Sequence, residues 1–199
     1  MTSRPRARAT LATSFLLLVS PGGGACAQEP GPGREVRSAP VPGASGAGTS
    51  VVTICGAEEP GRRLTMTGRV LDYGGRPLAG AAVIAYHTDE DGLYNPRGSD
   101  TRVPRLRGTA VTANDGTFAF HTIWPGAYPE GGAPAHIHLI VTAPAHHPRF
   151  LEVQFEGDPH LTREHREHAE RTGNAIIVRP SKGADGVWTF HQDVRLSGS

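Results

Sequence analysis

The sequence predicts an all-β domain, an antiparallel β-sandwich with long loops and at most one short surface helix. Three observations carry that expectation. From Leu64 onward, short apolar or alternating stretches recur, separated by turn residues and not by helical patterns. The chain holds 26 glycines and 17 prolines among 199 residues, which suits short strands better than long helices. Hydrophobic residues make up 37% and charged residues 20%, enough apolar matter for one packed core.

The elements follow in order. Leu64 to Leu71 alternates loosely, and Asp72-Tyr-Gly-Gly-Arg-Pro-Leu78 is turn chemistry. Ala81 to Tyr86 is the next strand. Gly108 to Ala113 and Thr117 to Ile123 flank Asn114-Asp115-Gly116, which reads as a hairpin turn of the Asp-Gly kind. Ala135 to Thr142, Phe150 to Phe155, Ala175 to Val178 and Val187 to Val194 bring the count to about eight strands, and regular spacing without helices indicates an antiparallel sandwich. Leu161 to Arg171 is the one helical candidate, polar enough to lie on the surface. His165 and His168 belong to that solvated face and are not read as a ligand pair.

The N-terminus reads as an address. Arg4, Arg6 and Arg8 precede the short apolar run Leu11 to Val19, and Ala25-Cys26-Ala27 resembles a cleavage signal. Residues 1–27 are therefore expected to be a secretory signal peptide and the protein to be exported, periplasmic or extracellular. Lipid anchoring at Cys26 ranks lower, because the leucine expected three positions upstream is missing. Residues 28–50 form a Gly/Pro-rich linker that cannot bury enough apolar surface to offset ordering. The domain is placed at 51–199, with Cys55 its sole cysteine, either buried or pairing with another chain.

Several classes are excluded. Lys+Arg 20 against Asp+Glu 19 leaves +1, without the basic excess of a nucleic-acid surface. No apolar run is long enough to span a membrane. Two cysteines make neither a disulfide scaffold nor a four-cysteine zinc site.

Ten histidines are many for such a chain, and His136-Ile137-His138 is the sharpest local signal. In a strand, residues two apart share a face, so the two imidazoles stand about 7 Å apart along the backbone and can converge on one metal ion. Ile137, Leu139 and Val141 fill the opposite face, leaving the histidine face free for a site. Alone, the pair is equally two ordinary strand histidines. Tyr94 follows Asp91-Gly-Leu in a loop, and Tyr128 sits in the rigid loop Trp124-Pro-Gly-Ala-Tyr128-Pro; each alone reads as a packing residue. Together with the histidines they would favour a hard trivalent ion, since anionic oxygen donors stabilise high charge.

The order of motifs resembles the intradiol ring-cleavage dioxygenases, the protocatechuate 3,4-dioxygenases and catechol 1,2-dioxygenases. The motifs are Gly68-Arg-Val-Leu-Asp72, Gly75-Arg-Pro-Leu-Ala-Gly80, Asp91-Gly-Leu-Tyr94, Arg107-Gly108, Asp115-Gly-Thr-Phe118, Thr122-Ile-Trp-Pro-Gly-Ala-Tyr128, Pro134-Ala-His136-Ile-His138 and Phe155-Glu-Gly-Asp-Pro159. They cover roughly Leu64 to Leu196; their succession is specific, no single one is. The resemblance implies a sandwich holding non-haem Fe(III) through Tyr94, Tyr128, His136 and His138. It further implies a catechol-type diol and O2 as partners, cleavage between the two hydroxyl carbons, and a cis,cis-muconate-type diacid. Tyr128 would be the labile ligand and a base for a diol proton. A homodimer is expected from the family and the sheet edges, although the helical N-terminal segment that catechol enzymes use for dimerisation has no counterpart, and the chain looks closer to short exported members.

Two positions depart from the family. Ala133 stands where an arginine is usual, and Glu152 where a glutamine is usual, with Gln154 two residues on and on the same face. Iron binding is thus implied more directly than cleavage of a simple catechol. Arg97 and Arg149 are candidates to supply a cation from elsewhere.

Two rival readings stand beside this one. An exported transthyretin-like or carboxypeptidase-regulatory-like sandwich module, structural or binding, explains Gly68 to Val83 and Asn114 to Phe118 but does not call for Tyr94, His136 or His138. A zinc or copper hydrolase would need a carboxylate or a third histidine, for which His121, His146 and His147 are available. Trp124 and Trp188 read as core or rim aromatics, and Asp89-Glu90-Asp91 as a solvated turn.

Overall fold

The structure is a computed structural model that describes residues 49–199. The expected signal peptide, Cys26 and nearly all of the expected linker lie outside the described residues.

Among the described residues eleven strands form two sheets. They are β1 (Val51–Thr53), β2 (Arg63–Asp72), β3 (Ala82–His87), β4 (Leu106–Val111), β5 (Thr117–Ile123), β6 (His136–Thr142), β7 (Arg149–Phe155), β8 (Ala175–Val178), β9 (Ser181–Lys182), β10 (Trp188–His191) and β11 (Val194–Leu196), with the helix α1 (Arg163–Thr172) between β7 and β8. The first sheet runs β1-β5-β2-β10-β9, with β11 also on β2; the second runs β4-β3-β6-β7-β8. The expected sandwich is present. Its pairing is not wholly antiparallel: β1–β5, β2–β10, β2–β11 and β7–β8 are parallel. A parallel neighbour needs a crossover, and α1 with its flanking loops supplies the one between β7 and β8.

Two local expectations change for physical reasons. The Asp115-Gly116 turn forms, with Gly116 at φ 76 and its N–H donating to Ala113 O at 2.9 Å. It closes no hairpin, because β4 pairs with β3 while β5 pairs with β2, so the turn carries the chain from one sheet to the other. The expected strand Val187–Val194 is broken into β10 and β11 at Gln192-Asp193. There the Gln192 carbonyl presses on β2, where a Cβ on Gly68 would meet it at 2.1 Å. Asp193 is held sideways by the Arg69 N–H at 3.0 Å and the Arg69 guanidinium at 2.7 Å.

The core lies between the sheets. Leu64, Met66, Val70, Phe118 and Phe120 face Val83, Ala85, Ile137, Leu139, Val141, Val153 and Phe155, all buried. Strand alternation does this: Ile137, Leu139 and Val141 point inward, so His136 and His138 point to the outer face of the second sheet. Removing one such side chain, as in Leu139→Ala, costs about 2–5 kcal/mol. Trp124 packs against Phe155 and Trp188 at centroid separations of 4.4 and 5.5 Å, a rim position as expected. Cys55 is buried and free.

Helix α1 begins two residues later than expected. Thr162 caps it, accepting the His165 N–H, and the His165 side chain returns the bond to the Thr162 N–H. His165 is thereby a capping residue. Gly173, at φ 65, ends the helix. Among the described residues no helix is long and apolar enough to cross a membrane.

Candidate metal centre

His136 and His138 come from β6, and two loops bring phenols to them. The loop after β3 carries Tyr94. Its turn is fixed by Asp89, whose carboxylate accepts the N–H groups of Asp91 and Leu93 at 3.1 and 2.9 Å and the Arg105 guanidinium at 3.2 Å. That acidic stretch is a turn, as expected. The loop after β5 carries Tyr128. Gly126 N–H donates to Asp89 O at 2.8 Å, and Thr88 Oγ1 donates to Gly126 O at 2.7 Å, tying one loop to the other. Glycine is required on both sides of this contact. A Cβ on Gly92 would meet Ala127 O at 1.9 Å, and one on Gly126 would meet Glu90 O at 2.3 Å.

Four polar atoms close a ring. Tyr94 Oη lies 2.7 Å from Tyr128 Oη, Tyr128 Oη 3.2 Å from His136 Nε2, His136 Nε2 3.0 Å from His138 Nε2, and His138 Nε2 2.8 Å from Tyr94 Oη. All four residues singled out in the sequence are thus brought together. His136 Nδ1 donates to the Pro134 carbonyl at 2.7 Å. A carbonyl only accepts, so the neutral imidazole carries its hydrogen on Nδ1 and turns a bare Nε2 into the ring. With two phenol hydrogens and at most one on His138 Nε2, hydrogen bonds cannot serve four contacts. Four lone pairs on a cation serve them all. Ligand bonds of about 2.0–2.1 Å set neighbouring donors about 3 Å apart, matching the ring. The donor set, two phenol oxygens and two imidazole nitrogens, fits a hard, highly charged ion.

Burial shapes the protonation states. It pushes the Tyr94 phenol well above its ordinary value, with Tyr128 adding to the rise. It pulls His138 down to about 4, helped by His136 and opposed by Glu152. A cation in the ring would reverse the Tyr94 preference and favour phenolate.

Glu152 lies opposite His138 on β7, and its Oε1 stands 4.0 Å from His138 Nδ1. Gln154 Nε2 donates to Glu152 Oε2 at 3.3 Å, while the other end of the same buried amide, Oε1, has no partner among the described residues. Glu152 thus sits behind His138, outside the four-atom ring. Together with His136 and His138 it forms the one group of three His, Cys, Asp or Glu residues close enough to share an ion among the described residues. His138 turns Nδ1 toward Glu152 and Nε2 toward the phenols, which favours the ring over a hydrolase-type site. His121 binds Thr65 on the other sheet, and His146 faces the Pro144 carbonyl, so neither adds a ligand.

Two neighbours, Tyr86 and Arg102, were not singled out from sequence, and Arg107 entered only through the Arg107-Gly108 motif, with no role assigned. Tyr86 stacks on His138 at a centroid distance of 4.6 Å; its signal was the outward-facing position on β3, two residues after Ile84. Arg102 and Arg107 line the cavity that opens on Tyr94 and His138. The expected cation sources are otherwise engaged or elsewhere: Arg149 donates to the Arg195 and Gly173 carbonyls, and Arg97 does not line that cavity. Ala133 brings no charge.

A dioxygenase family model matches residues 41–198. The chain belongs to the intradiol dioxygenase family. A chlorocatechol 1,2-dioxygenase of Rhodococcus opacus is 38% identical over 125 residues, 53% of this chain and 48% of that protein. The β chain of a protocatechuate 3,4-dioxygenase of Burkholderia cepacia is 33% identical over 115 residues, 52% of this chain and 49% of its own. The chain thus spans about half the length of the curated relatives it matches. Among solved structures, a catechol 1,2-dioxygenase from Pseudomonas arvilla C-1 superposes with TM-score 0.63 at 26% identity, covering 78% of this chain and 59% of the other. A dioxygenase domain from Streptomyces sp. SirexAA-E superposes with TM-score 0.58 at 26% identity, covering 74% and 87%. Membership of the intradiol dioxygenase family sets aside the transthyretin-like module as an account of this domain.

Proposed function

We propose that the chain is a non-haem Fe(III)-dependent intradiol dioxygenase. It would open a catechol-type aromatic diol between its two hydroxyl carbons, place both atoms of O2 in the product, and release a cis,cis-muconate-type diacid. The observation that carries this is the closed ring of two phenol oxygens and two imidazole nitrogens. Tyr94, Tyr128, His136 and His138 are the residues that would hold the iron. When bound, ferric iron supplies Lewis acidity and a redox centre matched to an electron-rich diol.

The chain's own residues do the rest. The Pro134 carbonyl fixes the His136 tautomer, and Tyr86 holds the His138 ring flat against its own. Tyr128, on a loop of its own and as a phenolate once a cation is held, would be the base that takes a proton from the incoming diol. Glu152 offers a carboxylate to His138 Nδ1 and so supports its basicity. Ile84, Ile140 and Pro104 give the adjoining cavity apolar walls that orient an aromatic ring and keep water out. Export, read from residues 1–27, belongs to the same proposal and rests on Arg4, Arg6, Arg8, the apolar run after them and the Ala25-Cys26-Ala27 signal.

Purified protein tests this directly. Tyrosinate on Fe(III) gives a visible charge-transfer band, and O2 uptake is followed with catechol, protocatechuate and hydroxyquinol. A coloured, iron-loaded protein that consumes O2 with one diol supports the proposal. A colourless protein that takes up zinc in place of iron, with no uptake, overturns it.

A further inference from the structure

Resting on the function proposed above, we infer that Tyr86 is a specificity-determining residue, whose ring is the wall that confines the diol to one side of the metal centre and refuses rings substituted on both sides. Two cavities open on the outer face of the second sheet. One, of about 640 Å³, is bounded by Tyr94 and Pro104 of the loop after β3 and by Arg107 of β4. The other, of about 200 Å³, is bounded by Phe150 and Glu152 of β7 and by His168 of α1. Among the described residues only Tyr86, His138 and Ile140 line both, so these three form the divide. His138 is committed to the ring of donor atoms, and Ile140 stands two residues further along β6. Tyr86 is therefore the part of the divide that meets the body of a ligand.

The wall is held in place. Tyr86 stacks on His138 at 4.6 Å between centroids and 18° between planes, and Tyr94 tilts against it at 6.2 Å. Register sets the two stacked rings side by side on β3 and β6, with Arg107 beyond one and Glu152 beyond the other. A ring packed in this way cannot swing into either cavity without giving up the stacking contact. The two sides also differ chemically. Ile84 and Pro104 line the larger cavity, and no carboxylate does. The Glu152 side chain lines the smaller one, so an apolar group pushed there would strip water from a carboxylate and offer no partner in return. A diol held at Tyr94 and His138 thus lays its ring over the larger cavity. Substituents on that side are accommodated, whereas a substituent pointing the other way meets the Tyr86 ring.

The test compares one-sided and two-sided ligands without O2, so that the visible band reads equilibrium binding and not turnover. The iron-loaded full chain is titrated with catechol, 4-tert-butylcatechol and 3,5-di-tert-butylcatechol. The one-sided ring should bind within about threefold of catechol, and the two-sided ring at least about tenfold more weakly than the one-sided ring, the scale on which a shaped pocket rejects excess bulk. In Tyr86→Leu that penalty should shrink below about threefold. Tyr86→Phe keeps the ring and should keep the penalty, which separates the wall from the phenol oxygen. Phe150→Ala widens the smaller cavity, leaves the wall standing and should keep the penalty too. Tyr86→Trp retains a flat ring against His138, does not depend on a truncated side chain folding, and should deepen the penalty. A penalty absent from the parent, lost in Tyr86→Phe or Phe150→Ala, or unchanged in whichever of Tyr86→Leu and Tyr86→Trp folds, overturns the inference and leaves the dioxygenase reading intact. If no diol moves the band of the parent, the dioxygenase reading fails and this inference fails with it.

Discussion

Gly92 and Gly126 pass so closely that a Cβ built on Gly126 would stand 2.6 Å from the Gly92 nitrogen. This contact sets the distance between the loops that carry Tyr94 and Tyr128. Gly126→Ala should push them apart, because the obstructing atoms are backbone and cannot rotate away. The expected cost is about 1–3 kcal/mol of stability, as for other overpacked sites. It should come with weakened iron binding, read as a lost visible band at equal iron concentration. Gly56→Ala, whose Cβ meets nothing within 4 Å, is the control and should change neither.

Tyr94 Oη touches both Tyr128 Oη and His138 Nε2, at 2.7 and 2.8 Å. Tyr94→Phe removes one corner of the ring and leaves the ring's packing nearly unchanged. The iron-loaded variant should lose most of its charge-transfer absorbance while its unfolding midpoint without metal stays close to the parent's. Unchanged absorbance would remove Tyr94 from the ligand set.

The metal-free protein should lose stability on mild acidification. His138 is held near 4 in the folded state, against about 6.5 unfolded. Between those values the unfolded chain binds a proton that the folded chain refuses, so stability falls as pH drops through that window. Buried His87 shifts the same way: burial lowers it, and its Nε2 accepts from Thr122 Oγ1 at 2.7 Å. Thermal unfolding midpoints should therefore decline from pH 7 toward pH 4. Iron-loaded protein should decline more steeply, because protons compete with the metal for imidazole. A flat profile would show that neither histidine is held neutral by the fold.

The site was legible in sequence to the extent that it rests on local rules. A period of two put His136 and His138 on one face with Ile137, Leu139 and Val141 on the other. Glycine and proline marked the loops of Tyr94 and Tyr128. The sheet assignment was not legible, because Asp115-Gly116 specifies a reversal and says nothing about which sheet the next strand joins. Nor was the break at Gln192, which follows from a close approach to Gly68, more than a hundred residues earlier in the chain. Tyr86 went unread for the same reason, and Arg107, quoted only within a motif, received no role: their meeting with His138 is a matter of register across β4, β3 and β6.

Glu152 joins stability and metal chemistry, and two substitutions separate them. Its Oε2 is the acceptor for Gln154 Nε2 at 3.3 Å, and Gln154 Oε1 already lacks a partner. Glu152→Ala leaves both ends of a buried amide unpaired, which should cost about 1–3 kcal/mol in denaturant unfolding. Glu152→Gln keeps an acceptor for Gln154 and should restore most of that loss. It also removes the negative charge 4.0 Å from His138 Nδ1, so iron affinity should fall about tenfold even though stability recovers. Equal iron affinity in parent and Glu152→Gln would reduce Glu152 to a structural partner of Gln154.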